Sequence, residues 1–167
     1  MSSGKTPVID SDEYYDLKIL KDGTWIYAGT PITRHNLVKL FASVLKKDDQ
    51  GDYWLETPYE RGRIAVEDVP FIATSVKVQS SGKSQILVFE TNLGDQVVLS
   101  PTHPLRIAFD QDNQTPRPYI LVRGGLEARI SRPVYYELTA LAVADEKDEG
   151  TLGLWSSGKF FPLGKTA

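Results

Sequence analysis

An internal repeat is the feature of this sequence that most constrains its fold. Residues 32–45, ITRHNLVKLFASVL, align without a gap with residues 130–143, ISRPVYYELTALAV, and four positions are identical. Thr33 aligns with Ser131, and both residues belong to the types that cap helix N-termini. The repeat predicts one capped helix in each half of the chain.

The segments that flank the two predicted helices also correspond. LKIL at 17–20 resembles LRIA at 105–108, and DQGDYWL at 49–55 resembles DEGTLGL at 148–154. Each half has the order hairpin, glycine-containing turn, capped helix, acidic glycine loop and strand. We interpret this order as an internal duplication. The alternative is two similar but unrelated β-β-α units.

Spacing and turn residues place the elements of the first half. A helix capped by Thr33 is predicted from apolar residues at helical spacing, namely Leu37, Leu40, Phe41, Val44 and Leu45. Asp22-Gly23 lies between YYDLKIL and TWIYAG, and this pattern predicts a hairpin with positive φ at both turn residues.

The second half is predicted to be rich in strands before its helix. The expected strands are 71–79, 85–91, 96–100, 105–109 and 118–122. A second helix is expected to start near Ser131, and LGLW-SSGK-FFPL predicts a closing hairpin. The fold class is therefore α+β, with two related β-β-α-β units whose mostly antiparallel sheets each carry one helix.

Composition limits the classes of function. The 167 residues are 41% hydrophobic and 25% charged, which is typical of a globular protein, and the net charge is −3. This charge lacks the broad positive field of a nucleic-acid-binding protein. The sequence has no cysteine, which excludes disulfides, thiol catalysis and thiolate metal sites.

Hydropathy indicates a cytoplasmic protein without a membrane span. The first twenty residues contain no long apolar run behind a basic start, which argues against a secretory signal. The apolar stretches are shorter than the roughly 20 residues of a transmembrane helix. Homo-oligomer formation stays open.

We divide the chain into a flexible N-terminal tail, residues 1–12, and two lobes, residues 13–70 and 71–167. Lobes of this size have marginal cores, so we expect them to pack against each other. A pocket is expected where they meet, because such boundaries commonly hold ligands.

Arginines occur at both predicted helix starts. Arg34 and Arg132 directly follow the expected N-caps. This is an unfavourable place for a cation, because the N-terminus of a helix carries about half a positive charge. An arginine at this unfavourable position in both halves indicates that it has a function or a fixed interaction partner.

The segment VRGGLEARISR adds further cations to the second helix start. Arg123, Arg129 and Arg132 could hold a phosphate or carboxylate, while Gly124 and Gly125 would let the backbone approach it. Glu127 would orient an arginine or accept a ligand hydroxyl. The alternative is that Glu127, or Glu67-Asp68 or Asp95 elsewhere, neutralises these arginines in internal ion pairs.

The sequence gives no strong sign of catalysis. No phosphate-binding loop or G-x-S-x-G motif is present, and the two histidines have no metal-ligand spacing. We predict a structural or ligand-contact role for His103. No catalytic residue, metal or cofactor is expected.

A family resemblance rests on motifs spread over most of the chain. KDGTWIYAGTPITR, LVKLF, VEDVPF, TNLGDQV, HPLR and VRGGLEARISR occur in this order between about residues 17 and 163. In these motifs the chain resembles the bacterial family called domain of unknown function 1285. The resemblance implies duplicated α+β domains with a pleckstrin-homology-like C-terminal half. It also implies a site for a nucleotide-like ligand where the halves join, and a role in signal transduction.

Three functions follow in order of preference. The first is a non-enzymatic sensor that binds an anionic, nucleotide-like ligand between its lobes through Arg34, Arg123, Arg129 and Arg132. The second is a protein-interaction adaptor that uses a sheet edge or the aromatic VYY face. The third is a phosphoester hydrolase that uses Asp95, His103 and Glu67-Asp68.

Overall fold

The structure is a computed structural model that describes residues 14–110 and 115–165. The tail predicted over residues 1–12 and part of the polar loop after residue 110 lie outside the described residues. Contacts divide the chain into two units, residues 1–70 with 124–126, and residues 71–123 with 127–167. Each unit combines β-sheet with one helix, so the predicted α+β class is confirmed.

The first unit consists of two three-stranded meanders separated by a helix. The first meander is β1 (Tyr14–Ile19), β2 (Trp25–Tyr27) and β3 (Thr30–Pro31), and helix α1 (His35–Ser43) follows it. The second meander is β4 (Leu45–Lys47), β5 (Tyr53–Glu56) and β6 (Arg61–Val66). Parallel pairing of β1 with β6 joins them into one sheet of order β3-β2-β1-β6-β5-β4.

Helix α1 differs from its prediction at both ends. Its N-cap is Arg34 instead of Thr33, and no side chain caps it. The helical spacing of apolar residues includes Leu45, but the helix ends before Val44, and Leu45 lies on β4 and pairs with β5. Leu40, also part of this spacing, is 62% exposed. Pairing between strands therefore outweighs the helical spacing after residue 43.

The predicted hairpin between β1 and β2 is confirmed, but its turn differs. Gly23 has a φ of 90°, whereas Asp22 is not among the residues with positive φ. Leu20 N–H donates to Thr24 O at 2.8 Å and Gly23 N–H to Leu20 O at 3.0 Å, which encloses a three-residue loop. Asp22 accepts Thr24 N–H through its carboxylate at 2.9 Å, and this bond lowers the pKa of Asp22.

The second unit begins with two further meanders. The first is β7 (Phe71–Gln79), β8 (Ile86–Thr91) and β9 (Gln96–Val98), with a 3-10 turn (Gly82–Ser84) between β7 and β8. The other is β10 (Leu105–Phe109), β11 (Pro116–Arg123) and β12 (Leu126–Ile130). Parallel pairing of β7 with β12 gives the order β10-β11-β12-β7-β8-β9, a half-barrel as the pleckstrin-homology-like resemblance implies.

The second helix and a third sheet complete this unit. Helix α2 (Arg132–Leu141) has Ser131 as its N-cap, as predicted. It precedes β13 (Val143–Ala144), β14 (Thr151–Ser156) and β15 (Lys159–Lys165), which form an antiparallel sheet in that order. The predicted closing hairpin is the β14–β15 pair.

The register of the strands after each helix confirms the duplication. Leu45 pairs with Leu55 in the first unit, and Val143 pairs with Gly153 in the second. A shift of 98 residues, from 45 to 143 and from 55 to 153, relates both pairs and also the aligned helices. The repeated element is thus a meander, a helix and a second meander, and β7–β9 precede its second copy.

A buried hydroxyl organises the core of the second unit. Ser156 is fully buried, and its Oγ donates to Leu99 O at 2.7 Å and accepts Leu87 N–H at 3.0 Å. Ser157 Oγ donates to the same Leu99 carbonyl at 2.9 Å. The hydroxyl of Ser156 therefore ties β14 to β8 inside a mostly apolar core.

Candidate functional site

The first unit contains a cavity of about 420 Å³ beside strand β1. This volume lies in the range of small-molecule sites. Aromatic and aliphatic side chains form most of its wall. The polar side chains among the described lining residues are two acidic residues, one threonine and three tyrosines with their hydroxyls. The lining is Tyr14, Tyr15, Asp16, Leu17, Tyr27, Phe41, Val44, Leu55, Thr57 and Glu60.

Neighbouring elements of the first unit position this lining. Leu17 on β1 pairs with Tyr27 on β2, which sets both at one level of the sheet. Phe41 comes from the last turn of α1 and stacks on Trp25 with ring centroids 6.1 Å apart. Tyr27 remains 58% exposed, so an aromatic ring is accessible at the rim.

A glycine on β6 makes room for the Tyr15 ring. A Cβ placed on Gly62 would lie 2.5 Å from carbons of that ring, closer than packed atoms approach. Tyr15 Oη donates a hydrogen bond of 2.7 Å to Glu60 Oε1. The absence of a side chain at residue 62 therefore lets Tyr15 reach Glu60 and hold one wall of the cavity.

A cation–aromatic stack supports Tyr14. The Arg63 guanidinium lies 4.7 Å from the centroid of the Trp54 ring and 5.4 Å from that of Tyr14, and it donates to Tyr14 Oη at 3.4 Å. The bond to Tyr14 raises the pKa of Arg63. Trp54 Nε1 donates to Asp48 at 2.8 Å, which lowers the pKa of Asp48. Tyr14 is thereby fixed by a partly buried network.

The electrostatics of the cavity are acidic. Asp16 and Glu60 are acidic, whereas no lysine, arginine or histidine is among its described lining residues. A carboxylate disfavours an anion at short distance. The arrangement can accept an apolar or cationic group, and none of the eight residues predicted as a ligand site lines it.

The two predicted glycines form a tight turn between β11 and β12. Gly124 has a φ of 53° and Gly125 a φ of 80°, values typical of a two-residue hairpin turn. The five residues of β12 separate this turn from α2. The local role of the glycine pair is therefore to reverse the chain.

Glu127 is paired with an arginine that the sequence analysis did not single out. Arg106 Nε and Nη2 donate to the two oxygens of Glu127 at 2.9 and 2.8 Å. The same guanidinium lies 4.3 Å from the centroid of the buried Tyr119 ring. Glu127 therefore pairs with Arg106 of β10, and its role toward a ligand stays a prediction.

The remaining predicted arginines occupy different environments. Arg123 lies with its guanidinium 5.4 Å from the centroid of Phe71. Arg129 is half-buried on β12 and pairs in register with Ile72. Arg34 and Arg132 are exposed, and within the described residues neither side chain has a hydrogen bond or ion pair. That these residues bind one ligand stays a prediction.

His103 has a structural contact through one ring nitrogen. Its Nδ1 lies 3.0 Å from the carbonyl oxygen of Leu121, so this nitrogen carries the proton and donates. The backbone of His103 also exchanges two hydrogen bonds with Ser100. The contact joins the segment before β10 to β11, and its ligand role stays a prediction.

Groups that could hold a metal are not assembled in the described part of the chain. No cluster of three or more histidine or acidic residues with that capacity occurs there. Glu67, a residue of the hydrolase alternative, accepts the Lys21 N–H at 2.9 Å and lies 3.4 Å from Lys18 Nζ. The Lys21 bond lowers the pKa of Glu67.

Sequence reasoning missed the residues that form the cavity. They come from β1, β2, the end of α1 and the β5–β6 turn, which are far apart in sequence. The doublet Tyr14-Tyr15 before Asp16 is present in the sequence, but by itself it indicates only an ordinary strand. Exposed aromatic rings at Tyr14 and Tyr27 become a signal only when the fold places them on one cavity.

Comparisons with known proteins cover nearly the whole chain. Residues 8–69 match the N-terminal domain of unknown function DUF1285, and residues 70–163 match the C-terminal domain of the protein of unknown function DUF1285. No curated protein matches the sequence. Within the described residues, no helix has the length and apolarity needed to cross a membrane.

Two solved structures are similar to this chain. A DUF1285 family protein from Silicibacter pomeroyi DSS-3 is 43% identical with a TM-score of 0.86, over 93% of this chain and 82% of that one. A DUF1285 family protein from Shewanella baltica OS155 is 27% identical with a TM-score of 0.59, over 75% of this chain and 91% of that one. The chain therefore belongs to the DUF1285 family.

Proposed function

We propose that this protein is a non-enzymatic ligand-binding protein and that the cavity of its first unit is a binding site. The observation that carries the proposal is a cavity of about 420 Å³ walled by tyrosine and phenylalanine rings with a few polar groups. Small-molecule sites combine these features: apolar walls for affinity and sparse polar groups for orientation. The networks around Tyr14 and Tyr15 hold the wall in place before a ligand arrives, which lowers the entropic cost of binding.

Thermal-shift measurements against amines, neutral aromatic compounds and nucleotides test the proposal. A ligand of the cavity raises Tm progressively with concentration. At 100 times its Kd it adds about 2.7 kcal/mol to the free energy of unfolding. Val44→Phe puts a ring into the cavity and abolishes the shift. Val78→Phe is the control, because Val78 is 45% exposed and does not line the cavity. A shift that survives Val44→Phe, or no shift with any compound, contradicts the proposed site.

An anionic, nucleotide-like ligand at the arginines is the second candidate. Its support is the exposure of Arg34 and Arg132, whose side chains have no partner within the described residues, and the occupation of Glu127 by Arg106. Arg123, Arg129, Gly124, Gly125 and His103 complete the proposed set. Arg132→Ala abolishes stabilisation by a nucleotide if this candidate is right, while Lys147→Ala, an exposed cation downstream of α2, leaves it unchanged. A role in signal transduction in the cytoplasm goes with this candidate.

A protein-interaction role is the third candidate, and the edge of β10 favours it. Leu121 N–H donates to Pro104 O, and Asp110 N–H to Thr115 O, so even-numbered positions of this strand face β11. Ile107 and Phe109 therefore direct their backbone N–H and C=O groups away from β11. Within the described residues no strand pairs with that edge.

A groove of about 390 Å³ runs beside this edge. Ile107 and Phe109 line one side, and Pro162 to Lys165 of β15 line the other. Phe109 is 55% exposed. An extended peptide with alternating apolar side chains could pair with the open edge and bury them in the groove.

Proline substitution tests the peptide candidate. Ile107→Pro removes an N–H that faces outward, so it is expected to leave the β10–β11 pairing intact and to abolish peptide binding. Ala108→Pro is the contrast, because residue 108 bonds to β11 and its substitution destabilises the sheet. Binding of an alternating apolar peptide that is unchanged in Ile107→Pro rules out pairing at this edge.

A further inference from the structure

We infer that the ligand of the first-unit cavity is a small organic cation, an alkylammonium or guanidinium compound. The inference rests on the proposed function, since it assigns a chemical class to the same cavity. Its basis is the combination of exposed aromatic faces with acidic lining residues and the lack of any basic residue among the described lining residues.

The aromatic rings supply one half of the recognition. A cation within about 6 Å of a tyrosine or phenylalanine ring centroid is attracted by the negative face of the ring. This contact already occurs in the unit, where Arg63 lies 5.4 Å from the centroid of Tyr14. Because Arg63 uses Tyr14, the accessible ring for a ligand is Tyr27, which is 58% exposed, with Phe41 deeper in the cavity.

The Glu60 carboxylate supplies the other half. It receives one hydrogen bond from Tyr15 through Oε1, and its second oxygen has capacity for a ligand N–H. Asp16 alternates along β1 with the inward-facing Leu17, so its carboxylate lies on the other face of the strand and adds only to the local negative charge. An ammonium or guanidinium at Glu60 forms charge-assisted hydrogen bonds while its carbon chain lies against Leu17 and Leu55.

The opposite charge is disfavoured in the same place. A phosphate or carboxylate in the cavity would face Glu60 without a basic lining residue from the described chain to offset its charge. A neutral aromatic compound would fill the apolar wall but leave the carboxylates without a new partner. The cavity therefore distinguishes ligands by charge as well as by size.

Calorimetric titration with three compounds of similar length tests the inference. Agmatine carries an ammonium and a guanidinium group, pentanol is neutral and glutarate is an anion. Agmatine is expected to bind more tightly than the other two, and more weakly as salt is raised. Glu60→Gln is expected to weaken agmatine about threefold. Asp49→Asn, an exposed aspartate outside the lining, is expected to have no effect.

Substitutions at Tyr27 separate the aromatic contribution from size. Tyr27→Leu keeps an apolar side chain but removes the ring, and it is expected to weaken agmatine about threefold. Tyr27→Phe keeps the ring and is expected to retain binding. Tyr59→Leu is the control, because Tyr59 is 81% exposed and does not line the cavity.

The outcomes separate the inference from the function on which it rests. If pentanol or glutarate binds as tightly as agmatine and Val44→Phe abolishes that binding, the cavity is a ligand site but its assignment to cations is wrong. If agmatine binds equally well in Val44→Phe, both the cavity site and its cation assignment are wrong. If agmatine does not bind at all, the cation assignment fails, and the thermal-shift panel decides the fate of the cavity site.

Discussion

Ser156→Ala removes the hydroxyl that joins β14 to β8, and its effect can be worked out from three bonds. The wild-type Oγ accepts Leu87 N–H at 3.0 Å and donates to Leu99 O at 2.7 Å. Leu99 O keeps the hydroxyl of Ser157 at 2.9 Å, so it stays satisfied in the variant. Leu87 N–H is left without its partner in a fully buried position.

The expected loss of stability follows from that orphaned donor. A buried backbone N–H without an acceptor costs about 1–3 kcal/mol, and alanine leaves almost no additional cavity. A protein of this size loses roughly 2–4 °C in Tm for each kcal/mol of lost stability. A loss of about 2 kcal/mol therefore predicts that Ser156→Ala melts roughly 4–8 °C lower than the wild-type protein. Urea denaturation followed by tryptophan fluorescence and circular dichroism measures the free energy directly.

Ser43→Ala is the matched control for this substitution. Ser43 Oγ donates to Leu40 O at 2.6 Å, but the residue is exposed at the end of α1, where water replaces the bond. We expect a change within about 0.5 kcal/mol for the control. If Ser156→Ala is as mild as Ser43→Ala, the hydroxyl does not hold β14 to β8 and the description of this core is wrong.

Three further predictions concern the first unit and the β11–β12 turn. Gly62→Ala pushes the Tyr15 ring away from Glu60 and should weaken ligand binding by calorimetry, whereas Gly164→Ala, whose Cβ meets nothing within 4 Å, should not. Gly124→Ala forces a φ of 53° on alanine and should cost about 1–2 kcal/mol in urea unfolding, with Gly124→Asn milder. Equal stability of both variants and the wild-type protein would contradict the turn geometry. The hydrogen bond from Trp54 lowers the pKa of Asp48 in the folded protein. The ionised Asp48 therefore stabilises the fold above its unfolded pKa of about 4, and this stabilisation is lost as the pH falls through the lower, folded pKa. Unfolding between pH 3 and 6 should therefore depend less on pH in Asp48→Asn, and an unchanged pH profile would argue against this bond.

Much of the fold could be predicted because the repeat fixed the order of elements. The strands expected at 71–79 and 105–109 have those bounds in the structure, and Ser131 occupies the N-cap position of the second helix, although its side chain makes no capping hydrogen bond. Errors occurred where non-local pairing outweighed local preference. Leu45 continues the helical spacing of α1 but lies on β4 because Leu55 offers it a cross-strand partner.

The site was harder to predict because its contacts join distant segments. Glu127 lies between arginines close in sequence, yet its partner is Arg106, 21 residues away, brought close by the sheet. The cavity likewise needs residues from Tyr14 to Glu60, and no short motif contains them. The glycine pair at Gly124 predicts a turn from the sequence alone. Only the five-residue strand β12, which lies between that turn and α2, shows that the turn reverses the chain and does not form the start of the helix.

An NMR titration of the uniformly 15N-labelled protein with agmatine locates the ligand contacts residue by residue. Saturable shifts are expected for backbone amides in β1, at Tyr27, at the end of α1 and in the turn between β5 and β6, where the cavity lining lies. Shifts confined to α2 and the β11–β12 turn, or amides that do not respond at any concentration, would contradict the assignment of this cavity as the ligand site.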